Sequence, residues 1–166
     1  MKNLKTLLFS VLAIAFMVAC GGGSTDTDSS NNESGQEATK ELSTDPKGIG
    51  EVKDVKLTDP LSPEMIAEGK NIYEMKCSAC HKLSEQRVVG PGWAGVTNRR
   101  TPEWIMNMIM NVDVMLEEDA EARKLLEECL TRMPNQGVER ESARALVEFM
   151  RENDVQTVGT KDEAVI

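Results

Sequence analysis

The chain has 166 residues, 40% hydrophobic and 28% charged, with a formal net charge of −9 and a single histidine. That length allows one domain of ordinary size with residues to spare. The acidic balance, with no basic cluster to track phosphates, excludes nucleic acid as a partner.

Residues 1–19 open with Lys2 and Lys5 and continue as an apolar run from Leu7 to Ala19. The run is shorter than the roughly twenty residues a membrane span needs and suits the core of a signal peptide. It ends in Val18-Ala19-Cys20 followed by Gly21-Gly22-Gly23. This resembles the lipobox of bacterial lipoproteins, although Met17 stands where that family more often has Leu. The resemblance implies removal of residues 1–19, lipidation of Cys20, and a domain exported to the periplasm and held at a bacterial membrane.

Residues 20–60 are expected to form a lipid-anchored flexible linker. The stretch 21–48 has no apolar periodicity and cannot offset its ordering entropy by burial. A tether of about forty residues would have an end-to-end distance of roughly 35 Å. Residues 49–60 alternate weakly and predict a short extended piece lying on the domain that follows.

That domain, residues 61–153, reads as helices. Ser62 is a natural N-cap and Pro63 a first-turn proline. Met65, Ile66, Gly69, Ile72 and Tyr73 then share one face. Glycine inside a helix costs about 1 kcal/mol against alanine; on the apolar face, Gly69 would let another helix approach closely. Lys82 to Arg100 is a glycine-rich loop. Thr101-Pro102-Glu103 restarts a helix whose apolar face is Trp104, Ile105, Met108, Ile109 and Val112. A third helix over roughly 117–130 aligns Ala122, Leu125, Leu126, Cys129 and Leu130, which predicts a buried, inert thiol at Cys129. A last helix over roughly 140–152 buries Ala143, Leu146, Val147 and Met150, with Phe149 flanking. Residues 154–166 are expected to be a flexible tail. No strand is predicted, so the fold class is all-α.

The chemistry concentrates in Cys77-Ser78-Ala79-Cys80-His81. A structural zinc site needs four ligands, and adjacent Cys80 and His81 chelate one ion poorly. A thioredoxin-like dithiol follows a strand in an α/β frame; here a helix precedes it. The remaining reading is the attachment signature of one c-type haem. Cys77 and Cys80 would add to the vinyl groups and His81 would ligate the iron. With no second histidine in the chain, a thioether is the expected sixth ligand. Met133, outside a helix and followed by Pro134, is the choice; Met115, in a short connector, is its rival.

Gly69, Tyr73, CSACH, Val89-Gly90-Pro91, Met133-Pro134 and the final LVEFMREN together resemble the small, mono-haem class I cytochromes c over residues 61–152. The resemblance implies a helical domain wrapped around one covalent haem c, with first and last helices crossing at Gly69 against Leu146 or Phe149. It implies that the Pro91 carbonyl accepts a hydrogen bond from the His81 imidazole, which fixes the ring and raises its basicity. Arg99-Arg100 would either neutralise haem propionates or form a solvated pair.

The function so implied is one-electron carriage in a bacterial respiratory chain, between a quinol-oxidising complex and a terminal reductase or oxidase, with no small-molecule substrate and no catalytic residues. The alternatives are a haem enzyme or gas sensor with an open iron site, or the electron-entry subunit of a larger complex.

Overall fold

The structure, a computed structural model, describes residues 41–158. The expectations for the signal segment, for Cys20, for residues 21–40 and for the tail over residues 159–166 lie outside the described residues.

The described residues form six helices: α1 (Pro63–Lys76), α2 (Val96–Arg99), α3 (Pro102–Met110), α4 (Val112–Glu118), α5 (Ala120–Cys129) and α6 (Arg140–Thr157). Among the described residues there is no strand, only two isolated bridges, Ser43 with Asp119 and His81 with Arg87. No helix among them is long and apolar enough to cross a membrane. The all-α expectation holds.

α1 starts where its sequence says. The Ser62 hydroxyl accepts the Met65 N–H at 3.3 Å and Pro63 occupies the first turn. Thr101 caps α3 in the same way, accepting the Trp104 N–H at 3.1 Å. These caps satisfy amides that have no carbonyl partner in the first turn. α1 and α6 cross at Gly69. A Cβ built there would lie 2.2 Å from the Ala145 carbonyl oxygen and 2.8 Å from the Phe149 Cβ. The crossing is the expected one, with Phe149 at the contact and the Ala145 backbone as its nearest point. Leu146, Val147, Phe149 and Met150 are buried along α6. Each contributes about 1.5–3 kcal/mol through its burial.

Several expectations change. The predicted third helix starts later, at Ala120, because Asp119 adopts an extended conformation (φ −96°, ψ 128°), and the connector before it forms a further helix, α4. That break lets Ser43 pair with the chain: its N–H donates to the Glu118 carbonyl at 2.7 Å and its carbonyl accepts the Ala120 N–H at 2.9 Å. The Asp119 carboxylate, itself buried, then accepts the Ala122 N–H at 2.8 Å and the Trp104 indole N–H at 3.2 Å. α5 fully buries only Ala122; Cys129 is half-buried and Leu130 exposed.

Residues 41–60, expected to be linker, form an ordered strap. Val52 is fully buried, and both its N–H and its carbonyl are held by the Asn107 side chain, at 3.1 and 3.0 Å. The Val55 N–H donates to buried Glu103 at 3.0 Å. At the strap's end, Glu148 of α6 is fully buried. It accepts the Thr58 hydroxyl, the Ser62 N–H at 3.0 Å, and Arg144 and Arg151 guanidinium N–H groups at 2.6 and 2.9 Å. A buried carboxylate with two cations and two further donors has its charge compensated and its lone pairs used. The predicted tail also starts too early: α6 runs to Thr157, with Asn153 and Asp154 buried. Finally, the loop before α3 contains the one-turn helix α2.

Candidate functional site

α1 delivers CSACH by ending on it. The Cys77 N–H still bonds the Tyr73 carbonyl at 2.9 Å, and the Cys80 and His81 N–H groups both turn back to the Cys77 carbonyl, at 3.0 and 2.9 Å. One tight turn therefore carries both thiols and the imidazole. Tyr73 secures it from the helix side, its hydroxyl donating to the His81 carbonyl at 2.8 Å. The Tyr73 ring packs on Trp93 at 4.9 Å and Phe149 at 5.6 Å, and Trp93 also lies 5.7 Å from the His81 ring.

The cysteines are unbridged. Burial pushes the Cys77 thiol up to about 11, with Cys80 adding to the rise and Lys76 opposing it. A redox-active dithiol needs the opposite shift, toward thiolate. Among the described residues no group of three or more His, Cys, Asp or Glu side chains could hold a metal ion. Zinc and dithiol readings of the motif both lose ground on these observations.

His81 Nδ1 lies 2.9 Å from the Pro91 carbonyl oxygen. A carbonyl only accepts, so Nδ1 carries the proton and the Nε2 lone pair is left for a ligand. Burial lowers the His81 pKa, with the Pro91 bond pulling the other way, which favours the neutral imidazole that metal coordination requires. Gly90 leaves room for this ring: a Cβ there would meet His81 Cε1 at 2.4 Å. Apolar Met75, Val88, Val89 and Leu130 are exposed. Two free thiols on one turn, an oriented imidazole with a free nitrogen, and a glycine cut away beside the ring fit a covalently attached haem.

The methionines separate clearly. Met115 lies inside α4 and not in a connector; it is fully buried, and its sulfur accepts the Ile49 N–H at 3.1 Å beneath the strap. Met133 lies outside any helix and is half-buried against the core. Its segment is tied to the residue before Cys77, because Lys76 Nζ donates to the Gln136 carbonyl at 2.8 Å. Of the arginine pair, Arg99 bonds the Ala94 carbonyl at 2.9 Å, while Arg100 pairs with Glu121 at 2.6 Å and stacks over Trp104 at 4.8 Å. Both guanidinium groups thus have protein partners, and Arg100 is not a freely solvated side chain.

Sequence reasoning missed the polar residues that fix the loop carrying Pro91. Buried Asp154 accepts the Gly95 N–H at 2.7 Å, the Thr97 N–H at 2.8 Å and the Thr97 hydroxyl at 2.7 Å, and Asn153 Nδ2 donates to the Leu83 carbonyl at 2.9 Å. The only available signal was that helical periodicity could be carried past Glu152 into Asp154.

The sequence profile of the family described as Cytochrome c matches residues 66–154. Among solved structures, cytochrome c from Rhodothermus marinus superposes with a TM-score of 0.63 at 31% identity, over 65% of this chain and 92% of that one. An engineered form of the same cytochrome, Rma TDE, gives 0.62 at 31% identity, over 66% and 98%. The engineered form bound to a carbene intermediate gives 0.60 at 30% identity, over 66% and 98%. No curated protein matches the chain.

Proposed function

Because the chain belongs to the cytochrome c family, we propose that it is a mono-haem, membrane-anchored carrier of single electrons in a bacterial respiratory chain. Family membership itself implies covalently bound haem c and haem-based electron transfer. When bound, the haem iron supplies a one-electron couple whose potential depends on its axial ligands and their hydrogen bonds. Cys77 and Cys80 would hold the group through thioether bonds, His81 would offer Nε2 to the iron with Pro91 keeping the ring in its orientation, and Met133 would offer a thioether sulfur. The observation that carries this reading is the 2.9 Å approach of His81 Nδ1 to the Pro91 carbonyl on a turn that bears two free thiols. With His81 and Met133 both as ligands, the iron would have no position for substrate, which would suit exchange of electrons with partner proteins.

The anchor is Cys20, the location is the periplasmic face of a membrane, and the partners are a quinol-oxidising complex and a terminal reductase or oxidase. The chain from Cys20 to Ser43, whose backbone pairs with the domain, can span at most about 80 Å, so partners must lie near the same membrane.

A second reading, a haem enzyme or sensor in which Met133 leaves the iron open, draws its support from the engineered relative bound to a carbene intermediate. Spectroscopy separates the two. The carrier reading expects a weak long-wavelength methionine-to-iron band in the oxidised protein, lost in Met133→Ala and retained in Met115→Ala. Rapid binding of carbon monoxide by the reduced wild type would favour the open-iron reading.

A further inference from the structure

The loop that carries Pro91 has neither helical nor strand periodicity, yet its carbonyl must meet His81 within a few tenths of an ångström. Part of the answer is internal. The Gly90 N–H donates to the Cys80 carbonyl at 3.0 Å and the Trp93 N–H to the Lys82 carbonyl at 2.8 Å. Gly92 passes so near the Ser84 carbonyl oxygen that a Cβ would lie 2.1 Å from it. These contacts fold the loop on itself, and Trp93 against Tyr73 and Arg87 on the Glu128 carbonyl at 2.9 Å tie its middle to the domain, which leaves its two ends to be fixed.

The last turns of α6 supply that fixture. Asn153 donates to the Leu83 carbonyl, where the loop begins, at 2.9 Å. Asp154, its neighbour, takes the Gly95 N–H on one carboxylate oxygen at 2.7 Å. Its other oxygen takes the Thr97 N–H and hydroxyl, at 2.8 and 2.7 Å. Asn153, Asp154 and Thr97 are 5%, 2% and 2% exposed, so water does not compete for these bonds. Two consecutive residues therefore grip the loop at its entry and its exit, with Pro91 between them. A carboxylate suits the exit because all three partners are donors; an amide would turn an N–H toward at least one of them.

We infer that Asn153 and Asp154 are positioning residues for the His81 ligand: by clamping both ends of the loop they set how strongly the Pro91 carbonyl holds the imidazole Nδ1 proton. The inference rests on the haem reading of CSACH. A firmer hold on that proton gives the imidazole more anionic character and favours ferric iron, so loosening the clamp raises the reduction potential.

The test uses the mature holoprotein with Asn153→Ala, Asp154→Asn and, as a control that loosens the strap instead, Asn107→Ala in α3. Thermal stability, reduction potential and the exchange rate of the His81 Nδ1 proton are measured for each. Asn153→Ala and Asp154→Asn are expected to speed that exchange at least tenfold and to raise the potential, whereas Asn107→Ala lowers Tm and changes neither. If both clamp variants lose stability but keep wild-type exchange and potential, the clamp is structural only and the inference is overturned. Should Asp154→Asn fail to retain haem, Asn153→Ala and Thr97→Val, which deletes only the hydroxyl donor, decide by the same criteria. A wild type without covalent haem would instead overturn the haem reading itself.

Discussion

Two irregular segments, the strap over residues 41–60 and the loop over residues 82–95, are fastened to one helical frame by different means. The strap is held by polar side chains that rise from α3 and α6 to its backbone: Asn107 and Glu103 at its middle, Glu148 with Arg144 and Arg151 at its end. The loop is held first by its own backbone and by glycines that press against His81 and Ser84, and then by the end of α6. The strap can therefore be loosened without touching the imidazole. The loop cannot, because the residue that gives it its shape, Gly90, is also the residue that gives the ring its space.

The sharpest way to break this contrast is Glu148→Ala. It leaves two guanidinium groups with no carboxylate in a buried setting, and loss of one partner from such a group costs about 3–5 kcal/mol. Thermal melting should show a large drop in Tm, while the visible spectrum of the folded holoprotein stays at wild type. Gly90→Ala should do the reverse in kind. A Cβ 2.4 Å from the His81 ring forces ring or loop to move, at a cost of about 1–3 kcal/mol, and the spectrum and potential should shift with it.

Acid offers a graded version of the first experiment. Burial pushes the Glu148 carboxyl up, but hydrogen bonds from Thr58, the Ser62 N–H and Arg144 outweigh it and hold the group below its ordinary value of 4.5. Above that value both folded and unfolded chains are ionised and the full stabilisation is present. As pH falls below it, the unfolded chain takes up a proton that the folded chain resists, and stability is lost. Tm measured from pH 6 to pH 3 should fall, and Glu148→Gln should flatten that part of the curve. The smallest effect belongs to Thr58→Val, which removes one donor to the same carboxylate and is expected to cost about 1 kcal/mol by denaturant melting.

The residues of the candidate site were legible because their chemistry is local or carried by spacing. CSACH lies on one turn, Pro91 came with the family resemblance and meets His81 ten residues away, and Met133 is proposed on the proline after it. Gly69 was legible for a related reason, since a glycine on an apolar helical face has few other uses. The strap was not. Glu148 meets Thr58 and Ser62 across 90 and 86 residues, and Asn107 meets Val52 across 55. Those host side chains are polar and sit within helices, where periodicity assigns them to solvent. Their burial follows from unpaired amides on another segment, which no helical pattern records. The break at Asp119 has the same origin, because its extended conformation serves the pairing with Ser43. Asp154 was misread as tail because its three partners lie 57 to 59 residues earlier.

The proposed function depends first on a porphyrin bonded to Cys77 and Cys80. Mature protein from a host with haem-attachment machinery should be coloured, keep its pigment through acidified-acetone extraction, and weigh more than its polypeptide by the mass of haem. In Cys77→Ser/Cys80→Ser that added mass should vanish. A wild-type polypeptide at its bare mass, or one that releases all its pigment into acetone, would contradict the account.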